Sequence, residues 1–189
     1  MDVAQEAPQT VILTEDEASM YLQATTQSAW SPQGQTPTLR VDASRTKTNF
    51  YGTLNLQTGE ELVLRTDKLN SETTAFYLNC ILETYPEVPI LFFWDRAPWH
   101  RGPAIERALQ ANPRLEIMWY PVASPQLNLQ EQVWKAARRK VGHNHDQPRL
   151  DPLASQFLNY LSSTHFESSF LDQYGYNSVR AMFELSIIP

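Results

Sequence analysis

The stretch ILFFWDRAPWH (residues 90–100) decides how the chain is read. Its apolar run, Ile90–Trp94, preceded by Val88 and Pro89, ends abruptly in Asp95. A short, unbroken apolar run of this kind is a strand buried on both faces. Asp95 therefore stands where a central strand leaves the core. Downstream, GPAIERALQAN (102–112) has the pattern of a helix with Pro103 in its first turn. LEIMWYP (115–121) follows as a second buried strand. SPQLN (124–128) is then a loop leading into an amphipathic helix over 128–141, ended by Gly142. Glu131 falls in the first turn of that helix, with Val133, Trp134 and Ala137 on its apolar side. Thirty-five residues separate Asp95 from Glu131, enough for one helix, one strand and two turns.

Upstream, SETTAFYLNCILETY (71–85) is an amphipathic helix capped by Ser71, with Phe76, Tyr77, Cys80, Ile81 and Tyr85 near helical spacing. NFYGTLNLQTGEELVLRT (49–66) is a hairpin turning at Gln57-Thr58-Gly59-Glu60, where Gly59 tolerates positive φ. In TVILTEDEASMYLQ (10–23), the run Val11–Leu13 ends in Glu15, Asp16 and Glu17 before a second strand-like run. Such an acidic turn is often only a solvated connection. Trp30-Ser31-Pro32-Gln33-Gly34-Gln35 is turn-rich, and residues 151–161 and 165–185 have a weak helical pattern. Antiparallel strands first and βα alternation afterwards predict an α/β domain built on one mixed sheet. Right-handed crossovers in such a sheet gather strand ends and helix starts at one edge. That would bring an acid of the first strand, Asp95 and Glu131 together.

With 189 residues and 42% apolar content, the chain can bury a real core. No segment has the apolar length of a membrane helix, and MDVAQEAPQT is not a signal peptide. The single Cys80 forbids an internal disulfide and fits a reducing, cytoplasmic setting. A net charge of −6 argues against a dedicated nucleic-acid-binding module, though not against a DNA-cutting core with local basic residues. Three carboxylates converging at a sheet edge repel one another, and burial worsens that repulsion. Hard divalent cations such as Mg²⁺ relieve it and prefer oxygen ligands with open water positions. Two such ions, about 3.5–4 Å apart, can activate an attacking water or 3′-hydroxyl and stabilise the leaving oxygen of a phosphodiester.

The motifs TEDEASM, WDRAPWH and SPQLNLQEQVWKAARRK, with AWSPQGQTP, occur in an order that resembles the DDE transposases. More narrowly, they resemble the catalytic domains of bacterial insertion-sequence transposases related to the mariner superfamily. The resemblance spans residues 10–142. It implies an RNase H-like fold with antiparallel first strands and helices on both faces. It also implies cleavage of transposon ends and strand transfer with two Mg²⁺ or Mn²⁺ ions. Carried over by position, Asp16, Asp95 and Glu131 become the metal-binding catalytic acids. Asp16 is chosen over Glu15 and Glu17 because the family places an acid-Glu pair here, matched by Asp16-Glu17. Asn128 would cap the final helix and aim Glu131, and His100 matches a family histidine near the site. An isolated His is otherwise usually a surface or packing residue, and Trp134 has the position of a core residue. Lys135, Arg138, Arg139 and Lys140 form a basic cluster, either a solvated helix face or a contact for DNA phosphates.

Five positions depart from the family pattern. Arg96 follows Asp95 where Asn is usual, and would either compete with the cation by pairing with Asp95 or hold a DNA phosphate. Leu129 replaces a Pro, Val122-Ala123 replace Pro-Tyr, and Gln130 stands where an apolar residue is usual. The expected organisation is a leader (1–9), a catalytic domain (10–142) and a C-terminal helical extension (143–189). The resemblance also implies double-stranded DNA as partner, a homodimer, and a helix-turn-helix DNA-reading domain or subunit absent from this chain. Rival readings are a structure-selective nuclease on the same fold and an inactive relic serving as a binding protein.

Overall fold

A computed structural model describes residues 9–28, 30–36, 38, 45–122, 124 and 127–166. Residues 1–8 of the expected leader, 167–189 of the expected extension, Ala29 and Pro37 of AWSPQGQTP, Ala123, and Pro125 and Gln126 of the third motif lie outside the described residues. Five strands, β1 (Val11–Tyr21), β2 (Lys47–Asn55), β3 (Glu61–Thr66), β4 (Ile90–Trp94) and β5 (Leu115–Trp119), form one sheet in the order β3-β2-β1-β4-β5. The β1–β2 and β2–β3 pairs are antiparallel, whereas β1–β4 and β4–β5 are parallel. The helices are α1 (Ser71–Thr84), α2 (Pro103–Ala111), α3 (Gln130–Ala137, continued by a π-helical turn Arg138–Gly142) and α4 (Leu150–Ser163). This is the mixed α/β architecture and RNase H-like fold expected from the sequence.

The central strand differs from the sequence reading. Glu15, Asp16 and Glu17 are not a turn between two strands but the middle of one eleven-residue strand. Pairing explains this, because β2 lies beside β1 continuously from Leu13 to Tyr21 and supplies partners to all three acids. Alternation along β1 then divides its side chains between two cores. On one face, Leu13 packs with Tyr51, Phe92 and Trp94 beneath α1 and α2, whose Tyr77, Leu78, Ile81 and Ile105 are buried there. On the other face, Ile12, Ala18 and Met20 meet Phe50, Leu54, Val133, Trp134, Leu153 and Phe157 beneath α3 and α4.

Three local expectations are also revised. The cap of α1 is Asn70, whose Oδ1 accepts from the Thr73 N–H at 2.8 Å, while Ser71 is the first helical residue. The buried stripe of α1 is Thr74, Tyr77, Leu78, Ile81 and Leu82, leaving Phe76 exposed and Cys80 half-buried. Strand β5 is an edge strand in which only Leu115 is buried, because among the described residues no strand pairs with its outer side. By contrast, the hairpin turns as expected with Gly59 at φ 75°, and Pro103 opens α2. Arg114 clamps the far end of α1 by donating to the carbonyls of Leu82, Tyr85 and Val88. The weakly patterned 151–161 segment is α4, but His165 and Phe166 are not helical.

Gly52 in β2 lies opposite Asp16 and is the tightest point between the sheet and α3. A Cβ there would stand 2.4 Å from Glu61 Oε1 and 2.5 Å from both Gln130 Nε2 and Trp134 Cη2. Gly52→Ala is therefore expected to destabilise the fold by about 1–3 kcal/mol through overpacking. A lowered midpoint of urea unfolding at unchanged slope would show it.

Candidate functional site

The parallel register of β1 and β4 pairs Thr14 with Phe93, so Asp16 and Asp95, each two residues further on, emerge side by side. Neither belongs to the ladder between the two strands, which stops at Thr14. Asp16, Asp95 and Glu131 line one cleft of about 340 Å³, together with Arg96, Ala97, Tyr120, Pro121, Val122, Ser124 and Asn128. The structure thus brings together the three acids singled out in the sequence. Alternation separates Asp16 from its neighbours, because Glu15 and Glu17 point to the opposite face of β1.

The crowding has an electrostatic signature. Burial, then the charges of Glu131 and Glu17, push the Asp16 carboxyl up to about 8. The Trp134 indole N–H donates to Asp16 Oδ2 at 3.2 Å, which orients that carboxyl toward the cleft. Trp134 is a fully buried core residue, as its position suggested, but this second role went unread. Its spacing of three from Glu131 puts the two residues on one side of α3, and was the available signal.

Asn128 holds the start of α3. Its Oδ1 accepts from the Gln130 N–H at 3.1 Å and from Thr14 Oγ1 at 2.9 Å, while its Nδ2 donates to the Glu15 carbonyl at 3.3 Å. The helix begins at Gln130 with Leu129 at its cap position, so Asn128 stands one residue before the cap rather than at it. Its Oδ1 nevertheless takes the first helical N–H and ties the helix to the central strand. The Tyr120 hydroxyl lies 2.7 Å from Thr14 Oγ1 and extends this network to the cleft wall.

His100 is buried rather than superficial. Its Nδ1 lies 2.8 Å from Asp95 Oδ1 and its Nε2 2.8 Å from Glu17 Oε1. Burial opposes its charge, but these two carboxylates outweigh burial and raise its pKa to about 9. Burial would likewise raise Asp95, yet the His100 hydrogen bond and the Ala97 N–H hold it below its ordinary value. Glu15, Glu17 and His100 offer ligand atoms within 4.8 Å of one another. With a carboxylate at each ring nitrogen, His100 carries a proton and itself acts as the cation of that cluster. Glu15 is enclosed there with the Trp94 indole N–H on its Oε2; burial, Glu17 and Asp16 push it well above the usual carboxylate range. Trp99 donates to Glu17 Oε1 at 2.6 Å. Neither tryptophan contact was legible from spacing.

Among the described residues Arg96 makes no ion pair with Asp95. Its guanidinium lies 5.7 Å over the Trp119 ring, while Asp95 is paired with His100. Lys135, Arg139 and Lys140 are exposed and Arg138 is half-buried; none of the four lines the cleft. Lys135 follows Glu131 by one turn, so this basic strip leads away from the cleft along α3.

Comparison with known proteins agrees with this arrangement. Residues 11–154 match the DDE superfamily endonucleases. An insertion element IS630 uncharacterized 39 kDa protein of Shigella sonnei is 24% identical over 153 residues, covering 80% of this chain and 45% of that protein. The chain thus spans less than half the length of this curated relative. Among solved structures, the Mos1 transposase paired-end complex with left transposon end superposes with a TM-score of 0.66 at 16% identity, covering 97% of this chain and 56% of that one. The catalytic domain of Mos1 mariner transposase gives 0.59 at 14% identity, covering 92% and 78%.

His100→Asn would leave Glu17 and Asp95 without their buried cation, at a cost of about 3–5 kcal/mol. Because the folded pKa of His100 is raised, its contribution is complete below the unfolded value of about 6.5. It is then lost as pH rises through about 9. The stability difference between wild type and variant, measured by denaturant unfolding from pH 6 to 10, should shrink across that window.

Proposed function

Because the chain belongs to the DDE superfamily of endonucleases, we propose that it is the catalytic domain of an insertion-sequence transposase. Its substrate would be double-stranded DNA, cut at transposon ends and joined to a target. The observation that carries the reading is the convergence of Asp16, Asp95 and Glu131 on one open cleft. The donor set fits Mg²⁺ or Mn²⁺: all-oxygen, crowded, and electrostatically unsatisfied, as the raised Asp16 records. Complexes of the mariner Mos1 transposase with Mn and with Mg are among the similar structures. Bound here, two such ions would neutralise the scissile phosphate and acidify the attacking water or 3′-hydroxyl.

The chain's own residues do the positioning. Asp16 is fixed by Trp134, Asp95 by His100 and the Ala97 N–H, and Glu131 by the helix start that Asn128 holds. Arg96 on Trp119 stands at the cleft as a phosphate contact, and Lys135, Arg138, Arg139 and Lys140 would follow the DNA backbone along α3. Residues 10–142 form the catalytic domain in this reading, with 143–189 as its extension. The packing of Leu153, Ala154, Phe157 and Leu161 of α4 in the core supports that assignment. Recognition of transposon ends falls to a helix-turn-helix region or subunit other than this domain. Holding two ends together calls for a homodimer. The setting is the bacterial cytoplasm, at the nucleoid.

Mn²⁺-dependent nicking of a labelled duplex should be present in wild type and abolished in Asp95→Ala and Glu131→Ala. Joined products would select transposase over a hydrolytic nuclease; nicking that survives both substitutions would refute the site. The metal also competes with a proton on Asp16. Its apparent affinity, measured by calorimetry, should therefore rise with pH up to about 8 and flatten above it.

A further inference from the structure

On the sheet face that carries Asp16, a second acid is enclosed outside the cleft. Glu61, the first residue of β3, is half-buried as a residue, yet its carboxyl is fully enclosed beneath α3. Its Oε1 accepts from Gln130 Nε2 at 2.5 Å. Glu61 Oε2 and Gln130 Oε1 are both buried and have no hydrogen-bond partner. No ion pair among the described residues includes Glu61.

A carboxylate here would bury a charge with no cation and leave two acceptor oxygens unsatisfied. One proton removes both faults. On Oε2 it makes a donor, and the side chain already bonded to Oε1 carries an amide oxygen that lacks one. Carboxylic acid and primary amide then close a ring of two hydrogen bonds. Burial, which pushes the Glu61 carboxyl well above its ordinary range, acts in the same direction.

We propose that Glu61 and Gln130 form a neutral acid–amide latch between the hairpin and the first turn of α3, and that this latch positions Glu131. Gln130 immediately precedes Glu131, and its backbone N–H is held by Asn128 Oδ1. With the side chain held by Glu61, the residue is fixed at both ends. The latch also lies directly against Gly52, the cross-strand partner of Asp16, and Trp134 touches the same point while donating to Asp16. One enclosed contact thus ties together the elements that supply the first and third acids. Glu61 and Gln130 do not line the cleft and are positioning residues. Their functional role rests on the reading of Glu131 as a metal ligand; the latch itself does not.

The test combines infrared spectroscopy with a double-mutant cycle. At neutral pH the metal-free wild type should show protonated-carboxyl stretches, sensitive to exchange into D₂O, to which Asp16 and Glu15 also contribute. The wild-type minus Glu61→Gln difference spectrum should isolate one such component belonging to Glu61. Glu61→Met and Gln130→Met should each weaken Mn²⁺ binding by about 10- to 100-fold, the range for outer-shell residues. The double Met variant should recover most of that loss, because replacing both partners leaves no orphaned atom. Glu61→Gln can rebuild the ring as an amide pair and should bind Mn²⁺ like wild type. Absence of a protonated-carboxyl component in the wild-type minus Glu61→Gln difference spectrum, additive losses in the double variant, or a Glu61→Gln as impaired as Glu61→Met would overturn the latch. If wild type itself binds no Mn²⁺, the metal-site reading fails instead. The difference spectrum and the melting temperatures of the same metal-free variants then decide the latch alone.

Discussion

Repulsion among carboxylates is the constraint around which this molecule is built. Three consecutive acids occupy the middle of the central strand, where the surroundings are least able to solvate charge. The pleat of β1 offers the only inexpensive separation, since neighbouring side chains leave on opposite faces. Glu15 and Glu17 go to the face that holds His100, Trp94 and Trp99, and each finds a donor there. Asp16 goes to the other face, receives one indole N–H, and meets two further acids instead of a cation. One side of the strand is thus supplied from within with an imidazolium and two indole N–H donors. The other is left needing charge from outside.

That division explains the shape of the hydrogen-bond network. Asp95 is the joint between the two sides, facing the cleft while bonded to His100 behind it. Asn128 does similar work for the helix, bonding to Thr14 and the Glu15 carbonyl on β1 as well as to its own first turn. The positions of the acids are therefore set by enclosed contacts, with solvent left on one side only. Preorganisation of this kind allows a site to bind a highly hydrated cation without first rearranging.

Much of this was legible in the sequence, and the boundary is instructive. The run Ile90–Trp94, the hairpin with Gly59 and the helix start at Asn128 are local signals, each set by residues within a few positions of one another. Those features appear in the structure nearly as read. The acids of β1 were misplaced into a turn because polar residues in a strand interior break the expected pattern. Only pairing with β2, more than thirty residues away, accounts for them. The same limit hid the contacts of Trp94, Trp99 and Trp134 with Glu15, Glu17 and Asp16, which span 79 to 118 residues. A tryptophan in an apolar stretch reads as core, and its single N–H leaves no trace in periodicity.

The same separations have a consequence for how the chain matures. β1 leaves the ribosome before the other described strands and helices, and Trp134, which holds Asp16, follows 118 residues later. At about 5–20 residues per second, the central strand waits roughly 6 to 24 seconds for α3. During that interval the hairpin can pair with β1, but the Asp16 face has no cover. Loop closure over such distances is slow, so the acidic cleft is among the last parts of the molecule to take shape. A nascent chain of this protein would accordingly be folded along one face before it is competent on the other, and truncation before α3 would leave the sheet half-covered.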